Sequence, residues 1–163
     1  MAGKTKHFKG FSIVDGDIRV TLNMSRFERQ FQRAQYQLDG AVMNSMVPFM
    51  PMVTGSFINA TRAASAAVQG SGEVYAAYGP QGRFLYEGKT MVDEKTGSTW
   101  ARRGAKKVLV SEFGGKTNAK PDLTYTKQAH PKAQSHWFDA AKKADGKKWI
   151  RDVKRTAGGG QRG

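Results

Sequence analysis

The chain contains no cysteine. Disulfide staples, thiolate metal sites and a cysteine nucleophile are therefore excluded, and stability must rest on packing within the chain or against neighbouring subunits. Acidic residues are scarce: 13 Asp and Glu stand against 27 Lys and Arg, a net charge of +14. Long apolar runs are missing as well. The most apolar window, residues 41–53, is interrupted by Asn44, Ser45, Pro48 and Pro51, whereas a membrane-spanning helix needs about 20 apolar residues. The apolar stretch Phe11–Val14 behind the basic N-terminus is too short for a signal peptide, so we expect an intracellular chain at synthesis.

The 163 residues are enough for one domain with a real core and flanking arms. The 19 glycines, about 12% against a usual ~7%, promise many turns. The positive charge is unevenly spread. Residues 1–99 carry 11 basic and 8 acidic side chains, and residues 100–163 carry 16 and 5, so the C-terminal part holds +11 of the total. A field of that sign suits a polyanionic partner, either nucleic acid or an acidic protein surface.

Residues 1–10 read as a basic arm, residues 11–156 as a single α+β domain and residues 157–163 as a Gly/Arg tail too poor in apolar residues to order. Asp15-Gly16 marks a hairpin turn over residues 11–22, pairing Ile13 with Ile18 and Phe11 with Val20. Ser25-x-x-Glu28 is a capping box that opens a helix to about Val47. Its apolar face is Phe27, Phe31, Ala34, Leu38 and Val42, and Pro48 and Pro51 end it. Thr54 caps a second helix that runs to about Ala67, burying Phe57, Ile58, Thr61, Ala64 and Val68. Glu73–Tyr78 alternates as a strand. Arg83–Tyr86 fits either a strand or one helical turn.

Residues 88–105 read as a long loop or protruding hairpin, Lys106–Phe113 and Leu123–Thr126 as strands, and residues 133–143 and 147–156 as two short helices. Trp149, Ile150 and Val153 line one side of the last. The expected architecture is a small, mostly antiparallel sheet packed by a long N-terminal helix and short C-terminal helices.

Little of this carries catalytic chemistry. Gly82 to Gly88-Lys89-Thr90 imitates a phosphate-binding loop, but five residues separate the glycines where four are needed, and no helix pattern follows Thr90. His130, His136 and Asp139 lack an evident further metal ligand. Glu87 is expected to pair with Arg83. We expect no enzyme activity, no metal and no cofactor. The methionines at 43, 46, 50 and 52 serve either core packing or a contact surface. Trp100, in a loop with Gly97, Ser98, Thr99, Arg102 and Arg103, either folds back or anchors a partner.

The order of motifs is more telling than any one of them. Val53-Thr54-Gly55-Ser56-Phe57 opens the second helix, and Arg83-Phe84-Leu85-Tyr86-Glu87-Gly88-Lys89 follows. Then come the Trp100 loop, Leu123-Thr124-Tyr125-Thr126-Lys127, Ala129-His130-Pro131 and Ser135-His136-Trp137-Phe138-Asp139-Ala140-Ala141-Lys142. Over roughly residues 20–152 this resembles the minor capsid protein family of tailed bacteriophages, itself similar to head–tail connector and tail-completion proteins. The resemblance implies a structural virion protein forming a ring, usually six-fold, in the neck between the DNA-filled head and the tail. The ring would leave a channel for double-stranded DNA and would adjoin a head-completion or stopper protein and a tail or tail-terminator protein. The implied location is the virion, with assembly in the host cytoplasm.

By that resemblance Thr54, Gly55, Tyr86, Gly88, His136, Trp137 and Phe138 are signature positions of structural rather than catalytic character. The candidate assembly contacts are Trp100, Arg102 and Arg103 in the loop, with Lys142, Lys143, Lys147 and Lys148 in the basic half. The competing reading is a basic nucleic-acid-binding protein, favoured by the charge and the Gly/Arg tail.

Overall fold

The computed structural model describes residues 11–15, 18–22 and 24–158. The expected arm at 1–10 and the tail beyond Gly158 lie outside the described residues. The fold is α+β. Among the described residues it has the strands β1 (Phe11–Asp15), β2 (Ile18–Leu22), β3 (Met91–Asp93) and β4 (Lys107–Leu109). Its helices are α1 (Ser25–Met46), α2 (Ser56–Ala67), α3 (Gly82–Glu87) and α4 (Trp137–Ala157). The expected sheet takes the form of two separate two-stranded antiparallel ribbons, β1–β2 and β3–β4. The chain divides into two compact units, one of Met1–Ser45, Arg62–Tyr75 and Ala141–Gly163, the other of Met46–Thr61 and Ala76–Ala140.

In the first unit β1 pairs with β2 in the register Ile13↔Val20 and Phe11↔Leu22, with Asp15 opposite Ile18. That is two positions from the expected register. A shift of two keeps every residue on its own face, so alternation cannot discriminate between the registers, and Gly16-Asp17 is as good a two-residue turn sequence as Asp15-Gly16.

Helix α1 runs antiparallel to the C-terminal part of α4. Trp149 Nε1 donates to Ser45 Oγ at 3.2 Å near one end, and Thr156 Oγ1 to Gln37 Oε1 at 2.7 Å near the other. The buried stripe of α1 is not the expected one. Ala34, Val42 and Met43 are buried, as foreseen for the first two, but Leu38 is only half-buried and Phe27 is 49% exposed. Asp39 is buried in their place at 4% exposure. Its Oδ2 accepts the Gly70 N–H at 2.7 Å and the Gly72 N–H at 3.1 Å, while Oδ1 accepts Gln35 Nε2 at 2.7 Å. Both glycines have positive φ, 92° and 88°, so the turn after α2 is one that only glycine adopts without strain. The stripe rotates because this carboxylate, and not another apolar side chain, completes the helix-to-turn contact.

In the second unit Trp137 is fully buried. Its indole N–H donates to Ala76 O at 2.7 Å, and its ring meets Tyr86 edge-on at 4.9 Å and Phe57 at 5.9 Å. Burying a tryptophan removes roughly 150–250 Å² from water, on the order of 4–6 kcal/mol. Met46, Met50, Ile58, Val92 and Ala133 complete this core. Met46 and Met50 thus take the packing alternative left open for the methionines.

Four expected elements differ. Residues 73–78 are not a strand, because their backbone groups are held by side chains. Tyr75 N–H donates to Ser65 Oγ at 3.1 Å, Tyr78 N–H to Thr61 Oγ1 at 3.2 Å, and Ala76 O serves Trp137. Residues 123–126 contribute only an isolated bridge, Lys89↔Asp122. The strand expected over 106–113 shortens to β4, and Val110–Glu112 is a 3-10 turn. The two C-terminal helices are one helix, α4, through Gly146. Asp145-Gly146 has the composition of a break, but Ala141 on one side and Trp149 on the other are both buried. Their burial outweighs the ~1 kcal/mol that a mid-helix glycine costs.

A Cβ added at Gly146 would meet nothing nearer than Lys142 Cγ at 3.6 Å, an ordinary contact. Gly146→Ala should therefore raise stability by about 0.5–1 kcal/mol, read as a higher urea midpoint with an unchanged slope.

Candidate functional site

Strand β3 ends on Asp93, whose side chain organises the segment that follows. Oδ1 accepts the Lys95 N–H at 2.8 Å and the Thr96 N–H at 3.2 Å. Oδ2 accepts Arg102 Nε at 3.2 Å, and Arg102 Nη2 approaches Oδ1 at 3.4 Å. Asp93 N–H donates to Ser98 O at 2.8 Å, and Gly97 N–H to Asp93 O at 2.9 Å. The residue is fully buried. The Arg102 guanidinium, followed by the Lys95 N–H, holds its carboxyl well below the usual carboxylate range, outweighing the opposing effect of burial.

Residues 94–106 therefore form the arm of the β3–β4 hairpin, with a turn fixed at its base. This is the hairpin alternative foreseen for 88–105. Gly97 has φ 67°, and an added Cβ would fall 2.5 Å from the Phe113 ring, so that position admits only glycine. On this arm Trp100 is 87% exposed. Its indole is not folded back into a core, and its N–H backbone group is tied to Ser98 Oγ at 3.1 Å. Arg103 is exposed with no ion pair among the described residues, whereas Arg102 is committed to Asp93.

Lys142, Lys143, Lys147 and Lys148 are all exposed on α4 and make no ion pairs among the described residues. Lys143, Lys147 and Arg151 recur every fourth residue and so share one helix face. The arm belongs to the second unit and these lysines to the first.

Four of the signature positions converge on one cluster. Tyr86 lies against His136 at 5.1 Å and Trp137 at 4.9 Å, and His136 N–H donates to Tyr86 O at 2.9 Å. Gly88, at φ 72°, caps α3: the next N–H, of Lys89, bonds Phe84 O at 3.0 Å. The segment that imitates a phosphate loop is thus a helix that ends at its glycine, where a phosphate loop would begin one. A Cβ on Gly88 would lie 3.1 Å from both Ser135 Cβ and Tyr125 Oη. Tyr125 Oη donates to Leu85 O. Burial first, and then Asp139 and Glu87, push the Tyr86 phenol up from its ordinary value.

His136 takes a left-handed φ of 49° and its carbonyl accepts the Asp139 N–H, turning the chain into α4. Its Nε2 lies 3.3 Å from Glu87 Oε2, so Glu87 faces His136 and not Arg83. Gly55, with φ 80°, accepts the Asn59 N–H, and α2 begins at Ser56, one residue later than a cap at Thr54 sets it; Thr54 Oγ1 accepts the Ser56 N–H at 3.4 Å. Phe138 is half-buried. His130 Nδ1 lies 2.8 Å from Met50 O. Among the described residues no group of His, Cys, Asp or Glu is placed to hold a metal ion, and no helix is long and apolar enough to cross a membrane.

The residues that sequence reasoning missed are Asp39 and Asp93. For Asp93 a signal existed, an Asp two to three residues before Lys95-Thr96-Gly97, which is an Asx-turn pattern. A groove of about 560 Å³ beside the arm was also unforeseen; Pro80, Phe84, Leu85, Met91 and Leu123 supply its apolar lining.

Because the Asp93 carboxyl is held below its unfolded value, the stability it adds is fully present above pH ~4 and is lost as pH falls through the lowered folded value. Amide exchange over residues 94–102 should accelerate only in that acid range. Asp93→Asn should show the same acceleration at neutral pH, with faster tryptic cleavage after Arg102 and Arg103.

No family model matches the chain, and neither a curated protein nor a solved structure matches it.

Proposed function

We propose that the protein is a structural component of a tailed-bacteriophage virion, forming a ring in the neck that joins head to tail around the DNA path. The observation that carries this reading is the arm: a tryptophan 87% exposed, on a turn held by a fully buried carboxylate. An apolar side chain left in water on a braced support is poised for a contact, since little further ordering is needed to bind. The motif order from Thr54-Gly55 to His136-Trp137-Phe138 adds the family setting. The lysines of α4 add a surface for acidic neighbours in adjoining rings.

The test is the particle formed by the full-length chain. Sedimentation and native mass measurement should give about six times the 17.9 kDa protomer, and a C-terminal label should appear at the head–tail junction of virions. Trp100→Ala should leave the protomer folded and weaken head–tail joining. A strictly monomeric protein absent from virions overturns the reading.

The second reading, a nucleic-acid-binding protein, is favoured by the unpaired lysines of α4. It expects duplex binding that falls steeply with salt. Charge reversal at Lys142, Lys143, Lys147 and Lys148 separates the two. The neck reading expects failure of head–tail joining in a folded variant, and the second expects loss of DNA retention with joining intact.

A further inference from the structure

The groove beside the arm has a chemistry that narrows what the arm meets. Its lining of Pro80, Phe84, Leu85, Met91 and Leu123 is apolar, and Thr99, the residue before Trp100, borders it together with Lys89 and Lys107. Apolar lining favours an aliphatic or aromatic side chain over a phosphate, which would lose its hydration there without gaining partners. The surroundings are cationic. Among the described residues Lys107 Nζ has the Thr99 carbonyl, at 3.1 Å, and no ion pair, while Lys95 and Arg103, also without an ion pair, line a neighbouring hollow that shares Ala105 with the groove. Three carboxylates nearby are already engaged, Asp93 by Arg102, Glu94 by Lys106 at 3.7 Å and Asp122 by Lys89 at 2.7 Å.

We propose that the arm and this groove together form a docking site for an acidic segment of a different protein. A large apolar side chain of that segment fills the groove beside Trp100, and its carboxylates face Lys107 on the groove rim and Lys95 and Arg103 in the adjoining hollow. A second copy of this chain fits poorly. Any second copy brings a net charge of +14 to this cationic surface, and like charges brought together in this way repel. This deepens the assembly reading and rests on it. It assigns the arm to contact with a neighbouring protein and leaves closure of the ring to other surfaces.

The experiment uses the full-length protein and fluorescein-labelled synthetic probes at physiological salt. The main probe is a short peptide of Asp, Glu and Ser around one central Phe. The controls are the same peptide with Ala for Phe, the same peptide with Asn and Gln for the acids, and a DNA duplex. The Phe-bearing acidic peptide should bind roughly tenfold tighter than either control peptide, because apolar burial and charge both contribute. Trp100→Ala and Arg103→Glu should each weaken it about fivefold or more, with circular dichroism and melting unchanged. Trp100→Phe should restore most of the binding, and Lys142→Glu with Lys143→Glu should leave it unaltered.

Equal binding of the Ala peptide, or equal loss from the α4 variant, would reduce the effect to non-specific charge and overturn the proposal. Duplex binding that depends on Trp100 would make the arm a nucleic-acid surface instead. Dissolution of purified rings by Trp100→Ala would make it a self-contact. Rings that form without peptide binding sink this proposal alone, and peptide binding by a protein that never forms rings sinks the ring reading alone.

Discussion

The second unit depends on the burial of one indole. Trp137 opens α4, and its ring is the surface against which α2, through Phe57, and α3, through Tyr86, are set. Its N–H bond to Ala76 O also decides the course of the chain between α2 and α3. A strand there would need a partner strand. The indole, together with Thr61, supplies the bonds a ladder would have supplied. The left-handed His136 follows from the same constraint: the chain must turn sharply to deliver the next residue into the core, and the strain of a non-glycine residue at positive φ is held by that burial.

Buried carboxylates do comparable work in polar form. Asp39 in the first unit and Asp93 in the second each accept several N–H groups of a glycine-containing turn. An acceptor with several lone-pair sites can satisfy a turn whose backbone has no ladder or helix to join. With only 13 acidic residues in the chain, two of them are spent inside, Asp93 on Arg102 and turn amides and Asp39 on turn amides, so few remain to offset the 27 Lys and Arg. Among the described residues Lys95 and Arg103 on the arm and Lys142, Lys143, Lys147 and Lys148 on α4 have no ion pair, and acidic neighbours or phosphates would relieve their repulsion.

Local signals were legible wherever a residue's structure depends on its near neighbours. The long first helix, the hairpin at 11–22 and the glycine-ended turns all follow from spacing and turn chemistry. So does the failure of the Gly-Lys-Thr segment as a phosphate loop. For Trp100 the sequence left two outcomes open, folding back or exposure, because a large apolar side chain without local apolar company has little core to enter nearby; the structure leaves it 87% exposed. Arg102 was legible as a basic residue, but its service to Asp93 was not.

What the sequence by itself determined is the α+β composition, the helix α1 and the concentration of charge toward the C-terminus, because periodicity, capping and ionisation are properties of short stretches. The tertiary structure decided that Gly146 lies inside one helix, that 73–78 is no strand, that Asp39 displaces Leu38 from the buried face, and that Pro80, Phe84, Leu85, Met91 and Leu123 surround a groove. Each of these turns on partners distant in the chain, such as Trp149 against Ser45, Trp137 against Ala76 and Asp39 against Gly70. A buried polar atom must find its hydrogen-bond partner wherever the fold brings one, and the free energy of leaving it unpaired exceeds the small local preferences that sequence patterns report.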